Sequence, residues 1–399
     1  MSERFRFNRL ELAGSLGDLG TLLPIAMAMI LTNGLSPLGV FLGIGLFYII
    51  SGIYFGVTVP VQPMKVIGAY AIATSLTPEQ IMASALLLGI ALFIIGATGL
   101  IDVIRKYTPK AVIRGVQLST GVLLLAAGIR FIIGTSKYQE IQGAAEPYLS
   151  WQALGPIPIG IIIGCLAAVI TLFLLDNKKF PAGLVVILGG IVLGLFLGAG
   201  SGAHTWRIGL HIPEILPFGL PGKADLTFVL LALVLPQLPM TLGNAVMAYT
   251  DLSGEYFGDK SVRVTNRKVC VSMALANFFA FFTGGIPMCH GAGGLAAHYR
   301  FGARTAGSNL MIGAVFTILA VFLGKDILNV LNLLPMSILG VLLTFAGAQL
   351  ALAGLDMDRR KDFFVAVLIL GITLASNLAA GFIAGIITAH ILKWERLSI

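Results

Sequence analysis

The chain has 399 residues, 57% of them hydrophobic and only 11% charged, with a formal net charge of +8 and a mean hydropathy of +0.95. Soluble domains carry about 25% charged residues, so this composition excludes a water-facing globular fold. The apolar runs are continuous and lack the period-two alternation of a membrane β-barrel, and the basic residues lie in short clusters between them, which excludes a nucleic-acid partner.

In chain order, apolar segments are expected at residues 14–32, 36–57, 62–75, 80–101, 109–133, 155–175, 182–200, 225–248, 266–283, 288–302, 305–323, 327–350, 362–375 and 377–394. The expectation is an all-α polytopic membrane protein with fourteen transmembrane segments in the bilayer. The opening MSERFRFNRL is basic, but it runs into Gly14, Gly17, Asp18 and Gly20 rather than a cleavage site, so no signal peptide is expected.

On this count the clusters Arg4/Arg6/Arg9, Arg105/Lys106/Lys110, Lys178/Lys179, Arg263/Arg267/Lys268, Arg300/Arg304, Arg359/Arg360/Lys361 and Lys393/Arg396 share one side. The loops 135–154 and 201–225 are poor in Lys and Arg. That is the positive-inside pattern, which puts both termini in the cytoplasm and the chain in the cytoplasmic membrane. Cys165, Cys270 and Cys289 stand at unrelated positions, so neither a disulfide framework nor a metal site is expected, and no cofactor is expected.

The third and tenth segments are too short to cross alone at the helical rise of about 1.5 Å per residue. Both open on proline, at Gln62-Pro63-Met64 and at Pro287-Met288, and proline is tolerated at a first helical turn. Laid over one another, the halves match Pro63-Met64 with Pro287-Met288, and Asp18-Leu19 with Gln237-Leu238. Pro109 with Gly115-Val116 likewise falls on Pro335 with Gly340-Val341. Seven segments per half make the second copy inverted: residues 1–210 form the first repeat (spans 1–7) and 211–399 the second (spans 8–14), with no separate soluble domain. Inverted repeats with paired, interrupted short helices mark secondary transporters and point to the substrate site.

Two half-helix N-termini aimed at one point present unsatisfied N–H groups and positive dipole ends, which suits a small oxyanion. Gly291, Gly293 and Gly294 let the substrate approach the backbone, and Thr21, Gln237, Thr241 and Asn244 are candidate donors. Lys65 either meets the anion or snorkels to the surface. Asp18 either carries a coupling proton or holds a structural place. His290 is a second candidate donor or proton carrier. Cys289 reads as packing, and His298 is expected near the cytoplasmic mouth with Arg300.

The stretches GSLGDLGTLLPIAMAMI, VPVQPMKVIGAYAIA, PQLPMTLGNAVMAYTDLS and GIPMCHGAGGLAAHYRFGART together resemble the molybdate transporter family, a branch of the sulfate permease (SulP) superfamily. The resemblance implies the seven-plus-seven fold shared with uracil permease, with core and gate subdomains and an elevator-type motion. It implies uptake of molybdate, with tungstate or sulfate as relatives, and places Gln62, Pro63, Met64 and Lys65, with Pro287, Met288, Cys289, His290 and Gly291, at the substrate. The chain stops after its last span without a STAS domain, which within that superfamily favours molybdate over sulfate. A gate-domain homodimer is consistent with such a fold. An enzyme is not expected, since only Cys289-His290 approaches a reactive pair and neighbours on a helix do not face one another. A sulfate transporter, an uncoupled anion channel of the same fold and a nucleobase carrier are the rival readings.

Overall fold

The computed structural model describes residues 4–101, 109–175, 177, 180–199 and 208–393. Arg105, Lys106, Lys178, Lys179 and Arg396, and the start of the loop 201–225, lie outside the described residues.

The first half runs α1 (Arg9–Ser15), α2 (Leu19–Asn33), α3 (Pro37–Phe55), β1 (Gln62–Pro63), α4 (Lys65–Thr74), α5 (Pro78–Thr98), α6 (Lys110–Ile133) and α7 (Lys137–Gln142). A short hairpin of β2 (Ala153–Leu154) and β3 (Ile157–Pro158) leads into α8 (Ile159–Leu174) and α9 (Ala182–Phe196). The second half opens with α10 (Lys223–Val229), α11 (Leu235–Met240) and α12 (Tyr249–Phe257), joined by π-helical turns at Leu230–Val234 and Thr241–Ala248. Pro236 and Pro239 lack the N–H that an α-helix needs, and widened turns flank them. There follow α13 (Asn266–Thr283), β4 (Met288–Cys289), α14 (Ala292–Arg300), α15 (Ala306–Leu323), α16 (Ile327–Leu331), α17 (Met336–Leu352), α18 (Arg360–Ala375) and α19 (Leu378–Ile391).

Local chemistry sets the helix ends. Ser36 and Thr77 accept from the first turns of α3 and α5, each helix has proline in its first turn, and Gly56 and Gly99 close them in the left-handed conformation. Among the described residues, six helical stretches are long and apolar enough to cross a membrane, and a seventh forms if α1 and α2, bent by 44° at Leu16–Asp18, count as one. The fold is therefore mostly helical and membrane-embedded.

Helices pair through small residues, as lipid-embedded bundles do. A Cβ on Gly128 of α6 would lie 2.5 Å from the Gly340 carbonyl of α17, and one on Gly313 of α15 would lie 2.8 Å from that of Gly45 in α3. Buried carboxylates close two helix starts. Glu146 accepts from the N–H groups of Met336 and Ser337 at 2.7 and 2.9 Å, and Glu11 from those of Arg304 and Thr305.

One local expectation needs correction. Pro63 and Pro287 do not begin helices: α4 starts at Lys65 and α14 at Ala292. A residue before proline is pushed out of the α region, so Gln62 and Ile286 stay extended, and the chain forms a two-stranded bridge before either helix begins.

Candidate functional site

The β-branched run 57–61 and the prolines at 60, 63 and 287 keep two stretches of backbone extended inside the bundle. Strands β1 and β4 pair antiparallel, Gln62 opposite Cys289 and Pro63 opposite Met288, and the Met64 N–H donates to the Pro287 carbonyl at 2.9 Å. The remaining polar groups of this broken backbone need partners in an apolar interior. Asn277 of α13 supplies them for Met288, accepting from its N–H at 3.2 Å and donating to its carbonyl at 2.9 Å. Asn309 of α15 does the same for Val59, at 2.9 and 2.8 Å.

From this bridge α4 and α14 begin beside one cavity of about 480 Å³, whose wall includes Asp18, Thr21, Gln62 and Lys65 from the first half and Asn244 and Gly293 from the second. Such a volume falls within the roughly 300–1,000 Å³ of ligand pockets. Asp18, 5% exposed, accepts from Gln62 Nε2 at 2.7 Å. A Cβ on Gly294 would lie 2.6 Å from Asp18 Oδ2 and 2.7 Å from Pro60 Cβ, and one on Gly291 2.1 Å from Gln62 Oε1, so a side chain at either position would displace the polar groups of the site. Gly293 has open space beside it.

The two helix starts differ. At α4, Gln237 Oε1 accepts from the N–H groups of Val66 and Ile67 at 3.0 and 3.3 Å, while its Nε2 donates to Thr241. An amide oxygen thus stands where an anion's oxygen would. At α14 the N-cap is Gly291, and no described side chain accepts from the first turn. The chemistry on offer is one ammonium group and the guanidinium of Arg114, open backbone donors and neutral amides and hydroxyls, with one carboxylate among them, set in a small cavity whose remaining wall is apolar.

Of the residues expected at the substrate, Thr21, Gln62, Lys65 and Asn244 line the cavity, together with Asp18. Pro63, Met64, Met288 and Cys289 form the bridge behind it, and Thr241 sits beside Met64 Sδ. His290 is turned away from the cavity. It is fully buried, with Nδ1 on the Pro60 carbonyl at 2.9 Å and Nε2 on Ser272 Oγ at 3.0 Å. Its ring packs near those of Phe47 and Tyr249, 4.6 and 5.5 Å between centroids. His298 is also buried, not at a mouth, because its Nδ1 bonds Thr58 Oγ1 at 3.0 Å and ties α14 to the extended run.

Arg114, Gln117 and Gln349 escaped the sequence reading, yet they line the same cavity. Arg114 holds Asp356 through Nε at 2.8 Å and Gln117 through Nη1 at 2.7 Å. Its sequence signal was a cation one turn inside an apolar helix, four residues after Lys110, with an amide three residues on, hence on the same face.

A membrane bundle whose interrupted segments meet at a small polar cavity defines a transporter rather than an enzyme. A family model described as molybdate transporter of the MFS superfamily matches residues 10–124 and 229–350. Molybdate transporter 1 and molybdate transporter 2 of Arabidopsis thaliana are each 31% identical to this chain, over 98% and 97% of it and 90% and 88% of their own lengths. Molybdate transporter 1 of Chlamydomonas reinhardtii is 28% identical over 94% of this chain and 90% of its own length. The chain belongs to the molybdate transporter family.

Among solved structures, the transmembrane domain of a cyanobacterium bicarbonate transporter, BicA, superposes with a TM-score of 0.67 at 17% identity, covering 97% of this chain and 98% of that one. Murine Slc26a9, an anion transporter in the inward-facing state, superposes with a TM-score of 0.67 at 15% identity, covering 98% of this chain and 69% of that one. The fold is therefore the one shared by these anion transporters, in agreement with the expected sulfate-permease likeness.

Proposed function

We propose that this protein is a secondary transporter that takes up molybdate, or the sister oxyanions tungstate and sulfate, across the cytoplasmic membrane with protons. The observation that carries the reading is the β1–β4 bridge, which brings Lys65 and the open start of α14 to the same cavity as Asp18. The family relatives supply the substrate class, and the cavity chemistry suits a tetrahedral dianion.

In this reading the chain makes fourteen crossings as two inverted repeats, 1–210 and 211–399, with both termini cytoplasmic. The helices α4 and α14 are half-helices of spans 3 and 10; α1–α5 with α10–α15 form the core and α6–α9 with α16–α19 the gate, across which a homodimer forms. Lys65, Thr21, Asn244 and the N–H groups at the start of α14 hold the anion. Gln62, Gln237 and Thr241 orient these donors, and Pro63, Met64, Met288, Cys289, His290 and Gly291 fix the bridge. Asp18 carries the coupling proton, with His290 set behind the site as its support.

Uptake into proteoliposomes under an imposed pH gradient, with molybdate, tungstate and sulfate in competition, tests the assignment. Wild type accumulates molybdate above equilibrium. Lys65→Ala loses a charge-assisted contact of about 1.5–3 kcal/mol, so its affinity falls roughly ten- to a hundredfold at normal expression. Wild-type affinity in Lys65→Ala would remove this site. Downhill flux without accumulation would favour the channel.

A further inference from the structure

A second cavity, of about 650 Å³, opens between α3, α5 and α13 and shares no lining residue with the polar one. Its sides are apolar, and Ile50 and Leu275, 62% and 58% exposed, stand on its outer lips, where a membrane helix meets lipid. One end carries Arg267 and Lys268, and among the described residues no acidic one lines it. Arg263 joins them, its Nη1 donating to the carbonyl of Tyr54, which lines the same cavity. Arg267 is fixed by bonds from Nε and Nη2 to the Gly96 and Ala97 carbonyls at the end of α5, the usual place for a cation at a helix C-terminus. Among the described residues none of the three cations has a carboxylate partner.

We infer that this groove binds an anionic phospholipid of the leaflet on the basic side, its phosphate on Arg263, Arg267 and Lys268 and one acyl chain between Ile50 and Leu275. Charge complementarity selects this occupant. A free inorganic anion has no use for the apolar walls, and a neutral lipid or an apolar helix leaves three like charges uncompensated. Basic groups beside a membrane-facing cleft are a recurrent headgroup site. Ser272 and Met288 also line the groove, so the acyl chain packs against the partner of His290 and against β4 itself. The lipid thus buttresses the bridge from behind.

The test uses the full chain in nanodiscs of phosphatidylcholine with or without phosphatidylglycerol, followed by native mass spectrometry to count retained lipids. The double variant Arg263→Gln/Lys268→Gln leaves the Arg267 bonds to α5 intact. Arg359→Gln/Arg360→Gln/Lys361→Gln, on a different helix, controls for generic surface charge. Leu275→Trp fills the groove while keeping its cations. With each cation near the surface favouring anionic lipid, wild type and control are expected to retain phosphatidylglycerol over phosphatidylcholine by about tenfold or more. The double variant and Leu275→Trp lose that preference while melting within a few degrees of wild type. Equal retention of the two lipids by wild type, or undiminished retention of phosphatidylglycerol by both groove variants, overturns the inference. Because retention is read without oxyanion, it stands or falls independently of the transport assignment.

Discussion

Asn277 and Asn309 do for two pieces of broken backbone what a neighbouring strand does in a sheet. Each uses its amide to satisfy one residue's N–H and C=O, at Met288 and at Val59. In a leucine-sized replacement those two groups stay buried and unpaired, at about 1–3 kcal/mol each. Asn277→Leu is therefore expected to cost about 2–6 kcal/mol, seen as a lower melting temperature in detergent. Asn277→Asp keeps the acceptor for the Met288 N–H but loses the donor, so it should fall between wild type and Asn277→Leu. Equal melting of all three would mean that β4 does not depend on this side chain. Neither asparagine stood out in the sequence, because a polar residue inside a helical run does not announce which distant backbone it serves. That Lys65, Gln62 and Asp18 would come together at one cavity was legible for the opposite reason: each is a polar group beside a break in an apolar run. His290 had the same sequence signature, yet its ring is held behind the bridge by the Pro60 carbonyl and Ser272, partners that no spacing in the sequence reveals.

The start of α14 shows how an element turns sequence spacing into a site. Its glycines were read as one group that opens the backbone, but they have different surroundings. A Cβ at Gly294 meets Asp18 Oδ2, Pro60 and Gln62 Nε2 within 2.8 Å, whereas at Gly293 nothing lies within 4 Å. Gly294→Ala should displace Asp18 and Gln62 and lower both thermal stability and transport. Gly293→Ala should fold and melt like wild type while adding a methyl group to the cavity wall. If α14 presents its N–H groups to the anion, Gly293→Ala weakens binding several-fold with the melting temperature unchanged. If the substrate lies elsewhere, both properties stay at wild-type values. The existence of the helices and the meeting of the two proline segments were legible from pattern and from the matching Pro-Met pairs. The two-residue bridge was not: a rule that tolerates proline at a first helical turn competes with one that keeps the residue before it extended, and the pairing of β1 with β4 gave the second rule the advantage.

At the scale of the whole molecule the question is how a carboxylate beside an anion site helps rather than hinders. Asp18 immediately precedes α2, is bonded to Gln62 of β1 and pressed against the first turn of α14, and lines a cavity whose wall also includes Arg114 and Gln349 on α6 and α17. Ionised, it competes with the substrate for Lys65 and for the dipole of α14. Protonated, it leaves both to the dianion. On the proposed assignment such a carrier would bind anion and proton together and release them together, so that a proton gradient would drive accumulation. Asp18→Asn mimics the protonated state permanently. It is expected to bind molybdate at least as tightly as wild type and to exchange labelled for unlabelled molybdate across proteoliposomes, but to lose accumulation driven by an imposed pH gradient. The contrast between exchange and accumulation isolates coupling from folding, because a misfolded variant loses both. Retained proton-driven accumulation in Asp18→Asn would take the proton away from this carboxylate and leave Asp18 as a brace between α2 and the bridge.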